Sequence, residues 1–205
     1  DYVEVDLRPA ADDYVVWHNP TIRLPHRILP HRVSRLSTRI LRRAVAEQNK
    51  GPLVRACDLF RHYPWGLGKP LLLDLKFGSL PEDLIWFLRR FPALCCFGAR
   101  TTTVLEQCFS ITSDRGRIVA MPKFPWQIDA FIKAGAGVVR LWQHGASQQN
   151  LDYLRRHNVQ SLVMIGNRFY PGLSNRERLT DVLARHPDFV LMDDPAEGLY
   201  WRSYV

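Results

Sequence analysis

The chain has 205 residues, with 28 lysines and arginines against 20 acidic residues, a formal net charge of +8, and 46% hydrophobic but only 23% charged residues. Those proportions exclude a disordered polar tail, a peptide-sized disulfide scaffold and a coiled-coil rod, and they supply enough apolar material for a sizeable core. The positive balance favours an anionic partner such as a phosphate ester or an acidic membrane surface. It comes almost wholly from arginine, since lysine stands only at 50, 69, 76, 123 and 133. Nucleic acid, which the same charge would suit, is not expected: the chain shows no aromatic-basic motif and no recognition helix.

Asp1 opens directly onto what reads as a buried strand at residues 2–7. Residues 14–17 read as a short antiparallel return strand after a turn at 11–13. Residues 19–50 are rich in proline and arginine, and a helix is predicted at 53–62, so an insertion spans about residues 8–70. From there the chain alternates strand-like runs at 71–76, 94–97, 118–121, 138–142, 161–165 and 189–192 with amphipathic segments at 81–91, 101–109, 125–134, 147–157 and 175–186. Ser147 and Ser174 stand where the last two helices start, and Asn158 and Pro187 where they stop.

Strict alternation means parallel strands joined by helical crossovers. A doubly wound sheet and a (β/α)8 barrel both satisfy it. No glycine-rich phosphate loop follows any of the strands, which speaks against the nucleotide-binding sheet. Seven strands, with the chain starting inside the first, lean toward a TIM-type barrel lacking its opening β-α unit, one domain over residues 1–205. The four cysteines, Cys57, Cys95, Cys96 and Cys108, form no C-x-x-C pair, which argues against a zinc or redox motif. No apolar run approaches the roughly 18 residues of a membrane span.

Three short strings carry chemistry. In Glu4-Val5-Asp6, residues two apart on a strand point the same way, so both carboxylates face one side between apolar neighbours. Two buried carboxylates need either a cation or salt bridges to basic side chains. Asp74-Leu75-Lys76 repeats that spacing with a third carboxylate and an ammonium. It reads either as a simple ion pair or as part of an oxygen-donor site for a hard cation, Mg²⁺ or Ca²⁺. In Trp17-His18-Asn19-Pro20 the histidine lies 12 residues after Asp6, across a hairpin that returns it toward the same strand end. There it is either an ordinary surface residue or a general acid or base.

Within the insertion, Arg32, Arg35, Arg39, Arg42 and Arg43 are predicted to share one helical face opposite Val33, Leu36, Ile40 and Ala44. That face is either an arm meeting phosphates or a membrane surface, or the solvated side of a packing helix.

Taken in order, Tyr2-Val3-Glu4-Val5-Asp6-Leu7, Tyr14-Val15-Val16-Trp17-His18-Asn19-Pro20 and Leu72-Leu73-Asp74-Leu75-Lys76 resemble the glycerophosphodiester phosphodiesterase family of the phospholipase C-like barrel superfamily. That family carries E-x-D on its second barrel strand, V-V-x-H-D-P after it, and E-x-K or D-x-K on its third. Val139-Arg140-Leu141-Trp142 is similar to a sixth-strand R-L-W, and Phe189-Val190-Leu191-Met192-Asp193-Asp194-Pro195 to the final strand. The resemblance implies that Glu4, Asp6 and Asp74 bind one divalent cation, that His18 is a catalytic acid/base, and that Lys76 stabilises the phosphate. It implies a substrate pocket that includes Arg140, Trp142 and Asn167. The reaction implied is metal-assisted hydrolysis of a small anionic phosphodiester to an alcohol and glycerol 3-phosphate. Two alternatives accompany it. One is a phospholipase D-like member acting on lysophospholipid or sphingomyelin, with the Arg-rich insertion on the membrane surface. The other is a catalytically inactive barrel serving as a binding module.

The chain also departs from the family pattern. The family's opening H-R-G strand, which supplies a second histidine and a phosphate-binding arginine, does not precede Glu4-Val5-Asp6 here. Asn19 stands where the family has aspartate after the histidine. Val163-Met164-Ile165-Gly166-Asn167 replaces a common V-W-T-V-N, removing an aromatic wall for which Trp142 is a candidate substitute.

Overall fold

A computed structural model describes residues 2–63, 68–166, 172 and 176–193. Expectations that fall on Asn167, Ser174, Asn175, Asp194 and Pro195 lie outside the described residues. The chain divides into two compact units, Asp1–Gly98 and Ala99–Val205.

The first unit is built on β1 (Val3–Pro9), β2 (Tyr14–Val16), β5 (Leu71–Leu75) and β6 (Cys95–Ala99), in the spatial order β2-β1-β5-β6. β3 (Thr21–Arg23) and β4 (Pro30–Arg32) form a separate antiparallel hairpin between them in sequence. β5 is buried at every residue, which is why its sequence is nearly continuous leucine rather than alternating. β1 runs parallel to β5 with Glu4 beside Leu72 and Asp6 beside Asp74. β2 folds back antiparallel on β1, pairing Leu7 with Val16 and Pro9 with Tyr14. The expected strand at the start and its return strand are both present.

Helix α1 (Thr38–Glu47) closes the insertion over a small core of its own, with Leu41, Ala44 and Val45 packed against Val15, Ile22 and Val33. Its start is held from a distance: Asp12 accepts the Thr38 backbone N–H at 2.8 Å and its hydroxyl at 3.2 Å. Helix α2 (Ala56–His62) begins after Arg55, whose guanidinium donates to both oxygens of Asp58 at 2.8 and 2.9 Å. Those hydrogen bonds hold the Asp58 carboxyl down to about 2. Phe60 of α2 packs with Phe87 of α3 (Glu82–Leu88) and with Phe91, at ring separations of 5.1 and 4.5 Å.

The expected single arginine face needs correction. Arg32 ends β4, Arg35 lies in a separate 3-10 turn at Val33–Arg35, and Leu36 is extended (φ −112°, ψ 136°), so no continuous helix joins them to α1. Ile40 is 45% exposed, and the buried side of α1 is Leu41, Ala44 and Val45.

In the second unit each strand is followed by a helix until β10. The elements are α4 (Thr102–Cys108), β7 (Ile118–Ala120), α5 (Ile128–Lys133), β8 (Val138–Trp142), α6 (Gln148–Arg156), β9 (Gln160–Met164), α7 (Arg176–Leu183) and β10 (Phe189–Leu191). The strands lie in the order β7-β8-β9-β10 and every neighbouring pair is parallel, as the alternation requires. Ser147 caps α6 by accepting the Asn150 N–H at 3.2 Å, and Asn158 ends it in the left-handed region at φ 53°. Thr101 caps α4 in the same way through Val104.

Gly137, just before β8, has no room for a side chain, because a Cβ there would overlap the Arg115 carbonyl. Gly137→Ala is therefore expected to destabilise the chain by about 1–3 kcal/mol, read as a lower urea midpoint. A midpoint equal to wild type would mean that the 115–117 turn moves aside at no cost.

None of the four cysteines forms a disulfide; Cys57 is half-buried and the other three are buried. Burial pushes the Cys108 thiol up to about 12, which leaves it inert at neutral pH. Among the described residues no helix is long and apolar enough to cross a membrane.

Candidate active site

The parallel register of β1 and β5 assembles the site. Period-two alternation puts Glu4 and Asp6 on one face of β1, and the Asp6–Asp74 register places the third carboxylate beside them on the next strand. One oxygen from each of Glu4, Asp6 and Asp74 lies within 4.8 Å of the other two. The three residues anticipated as metal ligands are therefore brought together. Asp74 is 1% exposed, while Glu4 and Asp6 are half-buried.

Lys76, two residues after Asp74, turns its ammonium into the same cluster. Its Nζ lies 2.6 Å from Asp6 Oδ1 and also pairs with Asp74 Oδ2, and its side chain is 4% exposed. The expectation of a plain Asp74–Lys76 pair is thus met and exceeded, since the ammonium bridges two strands. Three carboxylates and one ammonium thus meet on two neighbouring strands. The donor set is all carboxylate oxygen, without Cys or His, which suits a hard cation of the Mg²⁺ or Ca²⁺ kind.

His18 is delivered by the β1–β2 hairpin. The Trp17 N–H donates to the Asp6 carbonyl at 3.0 Å, so the chain has come back to the level of the carboxylates when it reaches the exposed His18. Nδ1–H of His18 donates to Asn19 Oδ1 at 3.2 Å, which leaves Nε2 as the basic nitrogen. The residue that replaces the family's aspartate thus keeps an acceptor on the ring, but a neutral one.

Arg8 is the residue that sequence reasoning missed. Its Nε and Nη2 donate to the His18 carbonyl at 2.9 and 2.7 Å, pinning the backbone that carries the imidazole. A signal was available: Arg8 continues the alternation of Glu4 and Asp6 and so belongs to the same face of β1.

The other residues assigned to a pocket, Arg140 and Trp142, lie on β8 in the second unit. The Arg140 guanidinium sits 5.1 Å from the centre of the Trp142 ring, with Nη1 3.5 Å from the sulfur of Met164. Arg140 is 5% exposed, with the ring and the thioether against its guanidinium. Asn167, the third of that set, lies outside the described residues.

Solved structures that match this architecture along nearly the whole chain are β/α barrels described as phosphodiesterases, several of them as glycerophosphodiester phosphodiesterases. A candidate glycerophosphoryl diester phosphodiesterase from Agrobacterium tumefaciens superposes with a TM-score of 0.75 at 15% identity, over 100% of this chain and 86% of that one. A candidate glycerophosphodiester phosphodiesterase from Galdieria sulphuraria gives 0.76 at 15% identity, over 98% and 85%. A phosphodiesterase from Oleispira antarctica, solved with its product sn-glycerol-3-phosphate, gives 0.69 at 13% identity, over 99% and 85%. No family model matches the chain, and no curated protein matches it in sequence. The likeness carries the fold, which is the α/β barrel fold inferred from the strand alternation and the motifs.

Proposed function

We propose that the chain carries the site of a metal-dependent glycerophosphodiester phosphodiesterase, which hydrolyses a small anionic phosphodiester to an alcohol and glycerol 3-phosphate. The observation that carries the reading is the convergence of Glu4, Asp6 and Asp74 within 4.8 Å, with Lys76 among them, on the fold of solved phosphodiesterases. Glu4, Asp6 and Asp74 would hold the cation, which when bound supplies Lewis-acid polarisation of a phosphoryl oxygen.

Lys76 donates to Asp74 and forms an ion pair with Asp6, and its ammonium would offset charge building on a phosphate oxygen. His18, exposed and with Nε2 basic, takes or gives a proton at the substrate or leaving-group oxygen. Arg140 and Trp142, which the resemblance assigns to the substrate, form a cationic-aromatic pair within the second unit.

The test is hydrolysis of glycerophosphocholine by the complete gene product with Mg²⁺ or Ca²⁺, followed as release of glycerol 3-phosphate. Activity that a chelator removes, and that Glu4→Gln lowers by about a hundredfold or more, is expected. No turnover with either metal, or full activity in Glu4→Gln, overturns the reading. A phospholipase D-like preference is the second reading, favoured by the exposed arginines of α1. Turnover of lysophospholipid or sphingomyelin without turnover of the deacylated diester would select it.

A further inference from the structure

Between Thr21 and Ala46 the chain holds seven arginines and not one Asp, Glu or Lys. All seven are exposed. Arg43 pairs with Glu47 at 2.9 Å and Arg42 approaches Asp58 at 4.0 Å. Among the described residues no ion pair is formed by Arg27, Arg32, Arg35 or Arg39.

Large aliphatic side chains stand in the middle of this charge. At the tip of the β3–β4 hairpin Ile28 is 91% exposed and Leu29 74%, and Ile40 on α1 is 45% exposed. Residues 24–27, which lead into the tip, line an open cleft of about 290 Å³ together with Ile40 and Arg43 of α1. Two adjacent exposed aliphatics at a turn within an arginine-rich stretch are an unfavourable surface in water alone. They match a lipid interface, where the aliphatics enter the acyl boundary and the arginines meet phosphates.

We propose that the β3–β4 hairpin tip, with the exposed side of α1, docks on an anionic lipid bilayer through Ile28, Leu29 and the surrounding arginines. Complementary charge selects the bilayer's anionic headgroups. The apolar pair sets a bilayer apart from a merely acidic protein. Single-stranded nucleic acid is disfavoured because residues 21–46 contain no Phe, Trp or Tyr on which a base could stack. The proposal is independent of the catalytic reading, because its test measures binding and not turnover.

The test is co-sedimentation of the full chain with vesicles of phosphatidylcholine alone and with one part in three of phosphatidylglycerol, across a salt series. Binding to the anionic vesicles is expected to exceed binding to the neutral ones by about tenfold or more, and to weaken as salt rises. The paired change Ile28→Ser with Leu29→Ser is expected to lower anionic binding by about tenfold. Arg39→Gln with Arg43→Gln should lower it by about fivefold per arginine at the surface. All four positions are exposed, so an unchanged urea midpoint is the accompanying control. Equal binding to both vesicle types, no binding at low salt, or anionic binding indifferent to the loss of Ile28 and Leu29 overturns the proposal. Retention on single-stranded DNA or polyglutamate without vesicle binding also overturns it.

Discussion

Lys76→Met is expected to lower stability in the presence of a chelator by about 3–5 kcal/mol, measured by urea unfolding. The wild-type ammonium lies 2.6 Å from Asp6 and also pairs with Asp74, which is 1% exposed. Removing the cation while keeping the volume leaves three carboxylates within 4.8 Å of one another in a largely buried cluster. Their mutual repulsion and poor hydration then lose the ammonium that offsets them. Added Mg²⁺ or Ca²⁺ should return part of the loss, and should stabilise the variant more than the wild type, because a bound cation counts only toward the folded state. Equal stability of variant and wild type in chelator would show that the cluster tolerates its charge without Lys76. Stability indifferent to either metal would remove the cation from the site.

The second large effect concerns chemistry. On the proposed function, His18→Ala should lower kcat by about 10²–10⁴-fold while leaving the urea midpoint and the metal affinity unchanged. His18 is exposed and does not belong to the carboxylate cluster, so its loss costs the fold nothing. Asn19→Asp adds a distinguishing readout. The neutral amide oxygen now 3.2 Å from Nδ1 would become a carboxylate, which favours the imidazolium. If His18 acts as a base, the acidic limb of the kcat profile should move to higher pH in that variant. An unmoved profile, or full activity in His18→Ala, would take the proton-transfer role from this residue.

The strands were legible because each crossover returns a short apolar run. The shared face of the carboxylates was legible in part, because Glu4 and Asp6, and likewise Asp74 and Lys76, stand two apart on their strands. The β3–β4 hairpin was not. Its strands are three residues each and bounded by Pro20, Pro25 and Pro30, so proline punctuation hid the pairing of Thr21 with Arg32. The start of α1 was hidden for another reason. Its first N–H is capped by Asp12, 26 residues upstream, which no local window contains. For Arg8 the alternation marked the face of β1 but not the partner, a backbone carbonyl ten residues on, across a turn.

The distance along the chain between β1 and β5 has a kinetic consequence. In the second unit each strand pairs with a neighbour one crossover away, as Val138 does with Gln160. In the first unit Val3 must find Leu71 across the whole insertion. Closing that longer loop costs about 1 kcal/mol more in chain entropy, and sequence-distant contacts slow folding. The carboxylate trio exists only once this pairing has formed, so on the proposed function the cation site waits on the slowest contact of the first unit.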